Sequence, residues 1–268
     1  MNTGPSRLEQ AEDHYETAVG AMFPGERAVF RGHDLHSQMK NWGWLELYFY
    51  GVSGRRLSVD DMKILNALFV YTSYPDPRIW LNRIAALAGT ARSTGALGLS
   101  GAISAAEAAI LGPRTNLRAI HFIQKTLKQV ESGEPLEELL LVELKKNRLI
   151  PGFGRPIVAG EDERIAPTMA LLAEYQRHKE PHVALLGEIQ RILKEKKLRL
   201  WTNFAGLTAA IGADMGLAPR EFYMGSLLSF CAGMIPCLVD ALDHDEGTFF
   251  PMRCTRIDYK GCEGRSWT

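Results

Sequence analysis

The chain has 268 residues, 46% of them hydrophobic and 23% charged, which is the make-up of an ordinary globular protein with room for one large or two modest domains. Its 31 basic and 31 acidic side chains balance, so nothing in the charge invites nucleic acid or another polyanion, and the basic run Leu193–Trp201 reads as a solvated helix end. Four cysteines, Cys231, Cys237, Cys254 and Cys262, form no CxxC pair and have no histidines at zinc spacing; no metal is expected, and free thiols suit a reducing cytoplasm.

In chain order, the polar, acidic N-terminus lacks the basic and apolar segments of a secretory signal. "RAVFRG" (27–32) has the pattern of a short strand. His33 and His36 stand three apart and would share a face if helical, while Trp42 and Trp44 read as packing residues. Ser58 precedes an amphipathic helix, with Asp60 and Asp61 in its first turn and Met62, Leu65, Leu68 and Phe69 on its apolar side. From Ile84 to Leu111 nearly every residue is Ala, Gly, Ser, Thr or Leu, the composition that lets helices approach closely in a core or at a dimer seam.

Pro135 marks the start of another helix that ends in lysines, and Pro181 divides a helical pair. The uncharged stretch Phe222–Val239 is long enough for a membrane span, but its glycines, serines and Pro236 favour a buried core helix, kinked before the proline. "RCTRIDYKG" (253–261) is a second possible strand. Strand signals are otherwise scarce, and the class is mostly α.

The stretch "LIPGFGRPIVAGEDER" (149–164) combines a Pro-Gly/Gly turn with an acidic run ending in arginine. Glycines on both sides of Phe153 allow a tight turn that exposes Arg155. Glu161, Asp162 and Glu163 form the acidic run. Such a run is ordinarily solvated, yet Asp162 is retained as a candidate catalytic carboxylate.

In order along the chain, these segments resemble the citrate synthase family, including its small citryl-CoA lyase-like members. "FRGHDL" is similar to the family's early "yRG" element, and "LNRIAALAGT" to its "aaR-x-x-aSt" helix. "ILGP" resembles the start of "GPLHGGAN", "IPGFGRPIVAGEDER" resembles "vPGFGHpvyk-x-DPR", "WTNFAGL" follows "pNvDf", and "RIDYKG" is similar to the terminal "R-x-x-Y-x-G". The resemblance implies a large helical domain, 1–113 plus 217–268, into which a small helical domain, 114–216, is inserted, with an active cleft at their seam. The chain has more apolar helix surface than one core shell needs, which predicts a homodimer whose interface includes the small-residue helices between Ile84 and Leu111 and the long apolar helix from Arg220 to Leu242.

The family's reaction joins a thioester α-carbon to a 2-oxo acid, which calls for a carboxylate base, an enolate-stabilising donor, a carbonyl-polarising donor and arginines for substrate carboxylates. In the resemblance, the family's two histidines and aspartate fall on Thr115, Arg155 and Ala205. Alanine takes no proton and arginine stays protonated, so the ordinary triad is absent. Arg164 and Arg256 match the family's carboxylate-binding arginines, and Gly152, Phe153, Gly154 and Asn203 would complete the substrate side. Thr115, Arg155 and Asp162 are the catalytic candidates.

The reading is a divergent enzyme that forms or cleaves a C–C bond next to a carbonyl, in an acyl-CoA or polycarboxylate substrate, without ordinary citrate synthesis. The alternatives are a non-catalytic binding or regulatory protein and a hydrolase reusing the same cleft. A CoA thioester would enter as substrate and no cofactor would be held permanently; neither nucleic acid nor membrane is an expected partner.

Overall fold

A computed structural model describes residues 4–155, 160–262 and 264. The outermost ends of the expected large domain, and residues 156–159 of the glycine-turn motif, lie outside the described residues. The described chain begins with α1 (Gly4–Ala11) and the strands β1 (Gly20–Phe23), β2 (Arg27–Phe30) and β3 (His33–Asp34), which pair as an antiparallel meander. Helices follow: α2 (Trp44–Ser53), α3 (Val59–Thr72), α4 (Trp80–Thr90), α5 (Gly95–Ala106), α6 (Pro113–Glu131), α7 (Leu136–Asn147), α8 (Ile165–Glu174), α9 (Pro181–Glu195), α10 (Phe204–Asp214), α11 (Pro219–Ser226) and α12 (Cys231–Leu242), then a 3-10 turn at Cys254–Arg256. The protein is mostly α, as its periodicity predicts.

Local chemistry explains the helix starts. Before α3, the Ser58 hydroxyl accepts from the Asp61 amide at 3.1 Å while the Asp61 carboxylate accepts from the Ser58 amide at 3.3 Å, a reciprocal box that satisfies two end donors. Pro135 and Pro181 stand at the starts of α7 and α9, as read from the sequence.

Three expectations are corrected. "RCTRIDYKG" is no strand: it forms a 3-10 turn and irregular chain, because no neighbouring strand pairs with it among the described residues. His33 and His36 share no helix; His33 lies in β3, and the amides of His36 and Ser37 donate to the Asp34 carboxylate, which holds a turn. Trp42 packs edge-on to Tyr50, 5.2 Å between centroids, and Trp44, 66% exposed at the start of α2, stacks on Tyr48 with 5.5 Å between centroids. The helix keeps Pro236 inside its last stretch, α12. It is interrupted at 227–230, where Thr72 Oγ1 donates to the Ser229 carbonyl at 2.9 Å and so takes up an acceptor that helix would otherwise use.

The chain divides into two compact units, one holding the chain up to Leu68 with Thr115–Ser226, the other Phe69–Arg114 with the chain from Leu227. Tyr48 donates to the Met224 carbonyl at 2.6 Å, Arg55 to the Met215 carbonyl at 3.3 Å, and Arg177 pairs with Asp61 at 2.8 Å; these bonds tie the N-terminal segment to 115–226.

In the second unit α4, α5 and α12 pack around Leu81, Ala85, Ala102, Ala106, Met234 and Leu238. The small residues have a steric cause there, since a Cβ on Gly89 would stand 2.4 Å from the Leu238 carbonyl oxygen and one on Gly98 2.7 Å from Leu238 Cδ1. Taken together, Pro219–Leu242 is long and apolar enough to cross a membrane by length and composition, and 44% of its most apolar window is buried. A core helix passes the same test.

Candidate functional site

The glycine turn and the start of α10 form one piece of structure within the first unit. Phe153 and Thr202 make an isolated antiparallel bridge, the Gly154 amide donates to the Trp201 carbonyl at 2.7 Å, and the Asn203 amide donates to the Gly152 carbonyl at 3.0 Å. Asn203 is also the N-cap of α10. Its Oδ1 accepts from the Gly206 amide at 2.9 Å and its Nδ2 donates to the Gly154 carbonyl at 2.8 Å. Gly152 has a φ of +88°, and a Cβ on Gly206 would come within 2.3 Å of the Gly152 carbonyl oxygen, so the two backbones touch where no side chain fits. Gly152, Phe153 and Asn203 therefore build the platform that presents Arg155.

Asp162 sits at the centre of the charge cluster, with its side chain 1% exposed. Arg164 grips it with a two-pronged fork, Nε to Oδ1 at 2.8 Å and Nη2 to Oδ2 at 2.7 Å. The Phe204 amide, in the first turn of α10, donates to Oδ2 at 3.2 Å, and the Arg164 guanidinium lies 4.3 Å from the Phe204 ring centroid. Arg155 reaches the same carboxylate less closely, Nε to Oδ2 at 3.8 Å, and its Nη1 donates to Glu163 Oε2 at 2.7 Å.

Burial works against ionisation of Asp162, but the Arg164 hydrogen bonds and the charges of Arg164 and Arg155 outweigh it and hold the carboxyl below its ordinary range. Burial likewise opposes ionisation of Glu163, and its own amide together with Arg155 brings it below the ordinary range. The two guanidiniums therefore favour the ionised form of this buried carboxylate.

Thr115 lies in the first turn of α6, four residues before Ala119, whose Cβ would be 3.8 Å from one placed on Gly152. That spacing puts it on the face of α6 that packs toward the glycine turn. Arg256 belongs to the other unit, exposed in the 3-10 turn. Ala205, in the first turn of α10, carries no titratable group at the place of the expected base.

A pairing absent from the sequence reading lies at the far end of α10, about 16 Å along the helix at 1.5 Å per residue. The buried Asp214 carboxylate accepts from the amides of His182 and Val183, each at 3.0 Å, and lies 2.7 Å from His182 Nδ1. Both residues line an open cavity of about 620 Å³, together with Gln124, Lys128, Glu131 and Glu180. Thirty-two positions separate His182 from Asp214, so no local spacing announces the pair.

Residues 26–245 match the family model of the citrate synthase C-terminal domain. No curated protein matches by sequence. Among solved structures, the chain superimposes on the citryl-CoA lyase from Hydrogenobacter thermophilus with a TM-score of 0.82 at 17% identity, covering 95% of this chain and 97% of that one. It is also similar to the ATP citrate lyase from Methanothrix soehngenii in complex with citrate and coenzyme A (TM-score 0.72, 16% identity, 98% of this chain and 45% of that one). A third match is the citrate synthase from Thermoplasma acidophilum in complex with carboxymethyl coenzyme A and oxaloacetate (TM-score 0.64, 14% identity, 84% and 59%). At these identities the likeness is one of fold.

Proposed function

Because the chain belongs to the citrate synthase family, we propose that it forms or cleaves a carbon–carbon bond next to a carbonyl, in an acyl-CoA or polycarboxylate substrate, with a changed catalytic set. The observation that carries this reading is the pair of guanidiniums, Arg155 and Arg164, gathered on Asp162 beside the positive end of α10.

In this reading Arg155 meets a substrate carboxylate or the enolate oxygen formed during the reaction, and its permanent charge replaces a neutral donor. Arg164 and Asp162 act as the positioning pair, with Arg256 and Thr115 as further substrate and catalytic groups. A CoA thioester enters as substrate, in the cytoplasm. The changed set excludes acetyl-CoA condensation as the main activity, because bond formation needs a base to remove the α-proton and Ala205 offers none. Cleavage runs the same bond change in reverse: the hydroxyl proton leaves as the ketone forms, the electron pair of the broken bond becomes the thioester enolate, and that carbon takes up a proton, which water can supply where Ala205 supplies none.

The test offers citryl-CoA in one assay and acetyl-CoA with oxaloacetate in another, following thiol release and product acetyl-CoA. Acetyl-CoA formed from citryl-CoA, with no thiol released from acetyl-CoA plus oxaloacetate, is the expected result. A second reading, a non-catalytic carboxylate-binding protein, is favoured by the locked state of Asp162; it predicts a raised melting temperature with citrate and no turnover. Neither turnover nor a melting shift with any of these compounds overturns both.

A further inference from the structure

We propose that Glu163 is a built-in occupant of the anion position on Arg155, and that a substrate carboxylate binds by displacing it. The inference rests on the reading of Arg155 as a substrate-anion group and adds what limits access to it. The two carboxylates beside Arg155 differ in kind. Asp162 is 1% exposed and committed to Arg164 and the Phe204 amide, whereas the Glu163 side chain is 54% exposed and meets Arg155 Nη1 at 2.7 Å. Releasing Asp162 would strand a buried charge; releasing Glu163 returns a carboxylate to water, where an exposed ion pair contributes little.

Both residues depart from the glycine-turn pattern this chain resembles, Arg155 for the histidine of "PGFGH" and Glu163 for the proline of "DPR". The two departures touch each other. An arginine added there without a counter-charge would leave two guanidiniums facing one carboxylate; Glu163 balances the pair in the absence of ligand.

Glu163 competes with every anion for Arg155 and so lowers all their affinities by one factor. A monocarboxylate gains one charge-assisted bond and breaks another of the same kind, so its net gain is small. A polycarboxylate has further anionic groups to place elsewhere in the site and can displace Glu163 with net gain. Glu163 thereby sets the affinity a ligand must exceed, and the ratio between ligands is left to the rest of the site.

The experiment is calorimetric titration of the full chain with citrate and, separately, acetate, at neutral pH and low salt. The proteins are the wild type, Glu163→Gln, Arg155→Gln, the double variant, and Glu161→Gln, which removes the same charge two residues away on the exposed part of the loop. Glu163→Gln is expected to bind citrate about fivefold more tightly, the worth of roughly 1 kcal/mol of lost competition. Acetate should gain by the same factor, because one internal competitor is removed for both ligands. Glu161→Gln should stay within about twofold of wild type, as one screened surface charge allows. Arg155→Gln should weaken citrate binding by about tenfold or more, and the double variant should match it, because Glu163 has nothing to block once Arg155 is gone.

If Glu163→Gln binds citrate no better than wild type while Arg155→Gln binds worse, Glu163 merely orients the arginine; displacement is overturned and the role of Arg155 stands. Equal gains from Glu161→Gln and Glu163→Gln reduce the effect to bulk charge and overturn it as well. Wild-type affinity in Arg155→Gln, or no citrate binding by any form, overturns the reading of Arg155 and the displacement with it. Should Arg155→Gln melt early, Arg155→Ala carries the same comparison.

Discussion

At the scale of single residues, a buried carboxylate shared by two arginines decides what each can contribute. Arg164 makes two hydrogen bonds to the buried Asp162, whereas Arg155 donates to the exposed Glu163, and in the proposed reading Arg155 is the guanidinium that changes partners. Arg155→Ala should therefore weaken an anionic ligand by about tenfold or more, since a charge-assisted hydrogen bond contributes about 1.5–3 kcal/mol. Binding titration with citrate measures it. Arg155→His should not produce citrate from acetyl-CoA and oxaloacetate, because Ala205 still takes no proton and a missing acid–base group costs about 10²- to 10⁴-fold. Thiol release at ordinary rates from that variant would place a base elsewhere.

Asp162 affects stability instead. Its folded pKa lies below the ordinary value of 3.8, so its contribution is complete above that value and is lost as pH falls through the depressed folded pKa. Asp162→Asn should remove this part of the acid unfolding curve and destabilise the fold at neutral pH by about 3–5 kcal/mol, as leaving a buried partner charge unpaired does. Urea unfolding at neutral and acidic pH gives both values. The turn around Arg155 was legible in the sequence because glycines punctuate it; the Asp162 clamp was not, since an acidic loop of this composition is ordinarily solvated and only the approach of α10 buries it.

At the scale of elements, end chemistry was legible where it is local and hidden where it is not. Ser58 with Asp61 announces α3, and Pro181 announces α9. What satisfies the first amides of α9 comes from the last residue of α10, by tertiary packing alone. Asp214→Ala should strand two amides and the His182 ring, and lower stability by about 2–4 kcal/mol, a loss of two or three bonds to a charged acceptor. The denaturant midpoint should fall while the unfolding slope stays constant. The failed strand at 253–261 marks the opposite limit, since alternation proposes a strand but only a paired neighbour makes one.

At the scale of the whole molecule, the apolar helix Pro219–Leu242 raises a question its packing answers in part. One side of α12 is buried against α4 and α5 through Met234 and Leu238. Its other side leaves Ile235, Val239 and Leu242 between 38% and 48% exposed. These stand at i, i+4 and i+7, a stripe along one helix face, and Leu87 of α4 and Leu97 of α5 are exposed in the same unit. An exposed stripe of this kind is what an interface between copies of a chain covers, and a two-fold pairing would let α12 meet the same surface on its partner. The protein is expected to be a homodimer by light scattering at micromolar concentration. Val239→Glu, on the exposed side of α12, should shift it to a monomer with its helix content intact, because two carboxylates brought together near a two-fold seam repel and lose water. A wild-type monomer, or a Val239→Glu protein that remains dimeric, would put the seam on another surface.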